Sequence, residues 1–201
     1  MTKNDKRFIE FVKRDCKRHG IKCDLRNTRY VKLSNSIKCS GWFDSEGKRL
    51  VVSMNRPDAL SILAHEYAHL TQWQDCINGK FKLWNTSSTS LFKVDEWLAG
   101  KSVRNIKQHL AVARDLELDN EKRTVELIKK YNLSIDITDY IKRANAYVHF
   151  YNWLGHTRRW CTPANSPYNN EDVISVMSGK FNMRYDTLSK RVYGAFAKAR
   201  I

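Results

Sequence analysis

The sequence has no apolar run approaching the roughly 20 residues that a membrane span requires. Its N-terminal stretch, MTKNDKRFIEFVKRDCKRHG, alternates charged and apolar residues where a secretory signal would carry an unbroken apolar segment. Neither membrane insertion nor export is expected. The five cysteines (Cys16, Cys23, Cys39, Cys76 and Cys161) are odd in number, irregularly spaced and contain no CxxC pair. That argues against a four-cysteine zinc site and a disulfide framework and points to a reducing, cytoplasmic location. Internal repeats and low-complexity tails are also lacking, so the 201 residues are expected to build one main core over 1–160. Residues 161–201 would then add a C-terminal loop and helical extension packed on it.

Acidic residues are few relative to basic ones: 21 Asp and Glu against 36 Lys and Arg, a formal charge of +15. The excess is uneven. Residues 1–30 carry +6 and residues 140–201 carry +7, leaving 31–139 at +2. Clustered cations release counterions on binding phosphates, so the basic ends are candidates for nucleic-acid contact. A solvated surface that keeps the protein dissolved is the other reading, because acids are interspersed among the bases.

The order of elements is legible from periodicity. Residues 5–19 read as a helix with Phe8, Ile9, Phe11 and Val12 on one stripe and Gly20 as its stop. Strand-like alternation follows over 21–34, and 41–54 reads as a hairpin turning at Ser45-Glu46-Gly47. A helix over about 57–76 has Pro57 in its first turn and Gly79 beyond its end. TSSTS (86–90) is the best loop candidate, with helices expected over 91–110, 111–131 and 136–154. A turn-rich loop at 161–170 precedes a C-terminal helical region. The expected fold class is α+β, mostly helical, with a small antiparallel sheet packed on the 57–76 helix.

That helix carries SILAHEYAHLTQW (61–73). Four residues along a helix turn a side chain by roughly 40°, so His65 and His69 project from one face, one turn apart. Two imidazole nitrogens so placed can reach one metal ion at about 2 Å. Glu66 lies beside them, where its carboxylate can take a proton from an attacking water instead of binding the metal. Residues 62–64 and 67–68 are uncharged, as suits a helix packed beneath a site.

The HExxH spacing resembles the zincin metallopeptidases, and the order helix, strand, hairpin, HExxH helix, further helices is similar to their compact catalytic core. In metzincins the motif extends to HExxHxxGxxH, but residue 72 here is Gln and residue 75 is Asp. SprT-like proteases place a histidine where Gln74 stands. The resemblance is therefore to the gluzincins, whose third ligand is a glutamate from a later helix, often with a second carboxylate four residues on. The NExxSD signature of the thermolysin-like members is absent. Small members of this type are common among uncharacterised bacterial and phage-encoded peptidases.

ARDLELDNEKRTVELIKK (113–130) offers the gluzincin arrangement. Glu117 would bind zinc and Glu121, on the same helix face, would hydrogen-bond and orient a ligand histidine. Glu121 itself and Glu96, in VDEWLAG, are competing ligands. The whole acidic run also reads as an exposed helix laced with i,i+4 ion pairs.

A second stretch, ANAYVHFYNWLGHTRRW (144–160), is dense in aromatics. Ile141, Ala144, Tyr147, Val148 and Tyr151 form an ordinary core stripe. The resemblance adds a reading in which His149 or Tyr147 donates a hydrogen bond to a reaction oxyanion, with Arg158 and Arg159 binding a substrate carboxylate or phosphate. Two functions follow. The first is a zinc-dependent hydrolase of peptide or protein substrates, with zinc on His65, His69 and Glu117 and with Glu66 as general base. The second is a nucleic-acid-binding or regulatory protein resembling the ImmA/IrrE type, using a basic helix-turn-helix-like segment at 176–196, which also reads as a plain helical pair.

Overall fold

The computed structural model describes residues 1–33, 37–162 and 165–201. The end of the expected 21–34 strand and two positions of the 161–170 loop lie outside the described residues. The fold is α+β: helices α1 (Lys3–Arg18), α2 (Ala59–Ile77), α3 (Leu83–Leu98), α4 (Ile106–Tyr131), α5 (Ile137–Thr157), α6 (Glu171–Ile174) and α7 (Lys190–Ala199) accompany a small sheet region. Its strands are β1 (Lys22–Arg26), β2 (Val31–Lys32), β3 (Lys38–Cys39), β4 (Gly41–Asp44) and β5 (Arg49–Ser53). None of the described helices is long and apolar enough to cross a membrane.

Two compact units divide the chain. The first holds residues 1–81 and 123–135, the second 82–122 and 136–201. Helix α4 is continuous from one into the other.

In the first unit, a three-stranded sheet has the order β1-β5-β4. Strands β4 and β5 form the expected hairpin, whose turn is fixed by Asp44 accepting the N–H groups of Glu46 and Gly47 at 2.9 and 3.0 Å. The sheet is mixed, however, because β1 pairs in parallel with β5. Helix α1 ends at Gly20, whose positive φ lets the N–H of Ile21 reach back to Cys16 and its own N–H to Lys17. That reversal starts β1. The central strand β5 is fully covered, with Leu50, Val51, Val52 and Ser53 all buried.

Helix α2 packs against β4 and β5. Gly41 is the closest approach: a Cβ there would sit 2.9 Å from Ile62 Cγ2, 3.0 Å from Glu66 Cγ and 3.1 Å from the Val51 carbonyl. Pro57 falls in the turn before α2 and not in its first turn. Phe8 and Phe11 of α1 pack edge-on or tilted against Tyr67 of α2 and Tyr131 of α4, at centroid distances of 5.0–6.1 Å. The Tyr67 hydroxyl donates to buried Asp15 at 2.9 Å.

In the second unit, Phe150, Trp153 and Leu154 of α5 form a buried cluster with Phe196 and Val192 of α7 and with Leu110 and Ala113 of α4. Trp153 Nε1 donates to the Ile201 carbonyl at 2.6 Å. Two sequence expectations change here. TSSTS is helical, within α3: Thr86, Ser87 and Ser88 each donate their hydroxyl to the carbonyl three residues back. Small hydroxyl residues satisfied in this way sit in a helix as readily as in a turn. The chain break lies instead at 99–105, around Gly100 with φ 98°, inside the expected 91–110 helix.

Residues 176–189 contain no helix, so neither a helix-turn-helix nor a helical pair forms there. The segment is pinned to α5 by side chains. Asn145 donates to the Ser178 and Lys180 carbonyls, Tyr185 Oη donates to Asn145 Oδ1, and Asn152 donates to the Tyr185 carbonyl. These bonds replace those a helix would have made. Residues 161–201, expected as an extension, pack within the second unit.

The two helix-facing glycine environments give a paired prediction. Gly41→Ala is expected to destabilise the protein by about 1–3 kcal/mol, since the new methyl meets backbone and a packed isoleucine. Gly194→Ala, exposed within α7 with nothing within 4 Å, is expected to stabilise it by up to about 1 kcal/mol. Urea unfolding midpoints of the two variants check the pair.

Candidate metal centre

The centre begins with α2. Its apolar side, with Leu60, Leu63, Ala64, Tyr67, Ala68 and Leu70 buried, is fixed against the sheet and α1, which leaves His65 and His69 as neighbours on another face. Their rings lie 4.9 Å apart, nearly perpendicular. His69 Nδ1 is 2.8 Å from Gln72 Oε1. A carboxamide oxygen only accepts, so this contact places the proton on Nδ1 and turns Nε2 outward as the ligand atom. Burial, with a smaller push from His65, holds the His69 pKa down to about 3. The imidazole is therefore neutral across the physiological range, which is the form that binds metal.

Helix α4 supplies the third group. Arg123 donates to Asp75 of α2 at 2.6 Å and to Thr71 at 3.4 Å. His65, His69 and Glu117 offer ligand atoms that all lie within 4.8 Å of one another. Among the described residues this is the group that can hold a metal ion. Glu117 is buried and the two histidines are of intermediate exposure.

The group within 4.8 Å contains neither competing glutamate. Glu96 sits between Lys101 at 2.9 Å and Lys93 at 2.7 Å, and these two ammonium groups hold its pKa at about 2. Glu121, buried one turn beyond Glu117 on α4, accepts a hydrogen bond from the Tyr140 hydroxyl of α5.

Glu66 is buried at the sheet side of α2, its Cγ against Gly41. Its charge also reaches Cys39, whose thiol is pushed up to about 11 by burial and then by Glu66.

On α5, Tyr147 and His149 point in different directions, as two residues two apart on a helix must. Tyr147 stands 3.3 Å, hydroxyl to hydroxyl, from Tyr151. Burial and then the charge of Glu117 raise both phenol pKa values well above 10, so both remain protonated donors. His149 instead stacks on Tyr185 at 5.3 Å, is 1% exposed, and has no hydrogen-bond partner at either nitrogen among the described residues. Burial, and then Arg114, lower its pKa to about 4. Arg158 is occupied by the carbonyls of Trp97 and Lys101 at 2.7 and 2.8 Å.

Gln72 is the residue that the sequence reading passed over except as a departure from a longer motif. Its signal was a polar side chain three residues after a ligand histidine, on the same helix face.

Two outcomes follow. Metal affinity, read by competition with a chelating dye, is expected to fall most for Glu117→Ala. Glu121→Ala and Gln72→Leu should fall by roughly 10- to 100-fold as groups acting through neighbours, and Glu96→Ala should change little. Independently, His149 is neutral in the native state down to about pH 4 but titrates near 6.5 when unfolded. Between those values the unfolded chain binds the extra proton, so stability must drop as pH falls through that window and level off below it. His149→Phe is expected to flatten this slope in urea melts run from pH 7 to 4.

Comparison with known proteins adds no family to these observations: no family model, no curated protein and no solved structure matches this chain.

Proposed function

We propose that the protein is a zinc-dependent peptidase of the gluzincin type. The observation that carries the reading is the His65–His69–Glu117 group on α2 and α4 with a buried Glu66 adjoining it on α2. Two imidazoles and one carboxylate form a donor set that suits zinc and leaves a coordination position open. Zinc held there would supply Lewis acidity for polarising a carbonyl and activating water near neutral pH.

The chain's own residues do the rest. Glu66 accepts the proton of the attacking water and returns it to the leaving amine. Its position is fixed from two sides, by α2 and by the missing side chain at Gly41. Tyr147, protonated and close enough to Glu117 to feel its charge, donates a hydrogen bond to the developing oxyanion. Tyr151, hydrogen-bonded to it, keeps the hydroxyl aimed. His149 has no part in this reading, since it stacks on Tyr185.

Strand β4 lies at the edge of its sheet, immediately beside Glu66. An extended peptide adding to such an edge presents its backbone carbonyls in register along the strand. This is why the preferred substrate is a polypeptide and not a smaller amide.

Glu66→Gln is expected to keep its metal and its fold and to lose hydrolysis of an unfolded protein substrate by two orders of magnitude or more. Tyr147→Phe should lower kcat by about 10²- to 10³-fold while changing KM little, as loss of one oxyanion donor does. Full activity in the Glu66 variant, with metal content verified, would refute the reading.

A further inference from the structure

Beside this site, the β2–β3 ribbon has features that neither the core nor the metal group requires. Its two-residue strands pair antiparallel, Val31 opposite Cys39 and Lys32 opposite Lys38. Val31 is buried and Cys39 half-buried, so the other pair faces outward, and both lysines are exposed. Like charges directly opposite each other on one face of a ribbon are destabilising.

No acid relieves this repulsion. Residues 25–43 contain Arg26, Arg29, Lys32 and Lys38 and no Asp or Glu. Arg26 is committed to Asp24 at 3.3 Å. None of the described carboxylates pairs with the other three cations. The same ribbon exposes three large apolar side chains: Tyr30 at 45%, Leu33 at 36% and Ile37 at 55%. Such side chains, grouped within eight residues and flanked by cations, form a contact surface and not a random scatter.

The ribbon is joined to the site. Cys39 ends β3 and lies within reach of the Glu66 charge, and Gly41, two residues on, opens β4 against Glu66 Cγ.

We infer that the β2–β3 ribbon selects the substrate, binding polypeptide segments that mix acidic and apolar residues, with an acidic side chain between Lys32 and Lys38 and apolar neighbours on Tyr30, Leu33 and Ile37. This inference rests on the peptidase reading and names the substrate class of that site. The acid removes the lysine–lysine repulsion, and the three apolar side chains gain cover. A nucleic acid fits this surface less well. Leu33 and Ile37 offer no stacking face, and one face of Tyr30 is already taken by Lys38, whose Nζ is 4.4 Å from the ring centroid.

The test uses the full-length Glu66→Gln chain loaded with zinc, so that binding is read without turnover. Fluorescence anisotropy compares a labelled twelve-residue peptide containing four Asp and four Leu with its Asn-for-Asp counterpart and with a twelve-nucleotide single-stranded DNA. The acidic peptide is expected to bind about tenfold tighter than the neutral one at low salt, a preference that added salt erodes. Lys32→Ala/Lys38→Ala should abolish the preference while leaving zinc content and circular dichroism unchanged, and Lys32→Arg/Lys38→Arg should retain it. Equal affinity for the two peptides, or a preference that survives the alanine pair, overturns the inference. So does DNA that binds tighter than the acidic peptide and is released by the alanine pair. A parallel incubation of the unmutated chain with the acidic peptide, read by mass spectrometry, tests the other reading separately. Charge-selective binding without any cleavage there would support the ribbon's preference and sink the peptidase assignment.

Discussion

The candidate metal group takes two of its ligands from one helix, α2, and the third from another, α4. His65 and His69 need no help to be neighbours, because they are one turn apart on a single helix. Glu117 arrives from a helix that starts nearly thirty residues after α2 ends, and a slip of one residue would carry its carboxylate roughly 100° around α4. The Arg123–Asp75 pair at 2.6 Å joins α4 to α2 within the first unit, where Phe8 and Phe11 of α1 also pack on Tyr131 at the far end of α4. A partly exposed ion pair contributes little to stability by itself. Its value here is positional: it fixes which residues of the two helices meet within that unit.

Burial sets the chemistry of the groups so aligned. His69 is held neutral by desolvation and oriented by Gln72. Tyr147 and Tyr151 are held protonated by desolvation and by the charge of Glu117. The same physical term thus leaves the imidazole as a lone-pair donor and the phenols as proton donors, which is the complementary pair of roles that a hydrolytic centre needs. Glu96 shows the contrast. Between two lysines its carboxylate is stabilised as an anion and engaged.

Much of this was legible in the sequence, and the failures have physical causes. HExxH was readable because His65 and His69 lie about one turn apart on one helix with Glu66 between them, where spacing alone determines direction. Glu117 could be named but not separated from Glu121 and Glu96, because a lone carboxylate in an amphipathic acidic run looks the same whether it faces an ion or water. Only the partner helix decides, and that is a long-range fact. The TSSTS segment misled because hydroxyl residues bond equally well to their own helix backbone. Residues 176–189 misled because their backbone bonds go to Asn145 and Asn152, some thirty residues away. The parallel pairing of β1 with β5 was invisible because alternation fixes which face a residue takes, not which neighbour its strand chooses.

The assignment of the oxyanion donor turns on helix parity, which the sequence already contained. Tyr147 and His149 cannot serve the same site from one helix, since two residues turn a side chain by about 200°. Once α5 is fixed by Trp153 and Phe150 in the second unit's core, the question reduces to which of the two shares a face with Tyr151, one turn beyond Tyr147. The Glu117 charge is felt at Tyr147 and Tyr151 together, four residues apart, and His149 is left to stack on Tyr185. A buried imidazole without a hydrogen-bond partner has a pKa near 4 and delivers no proton at neutral pH. A phenol held above its ordinary pKa always has a proton to share. In the proposed peptidase, the face shared with Tyr151 and the protonation state both favour Tyr147 over His149 as the hydrogen-bond donor.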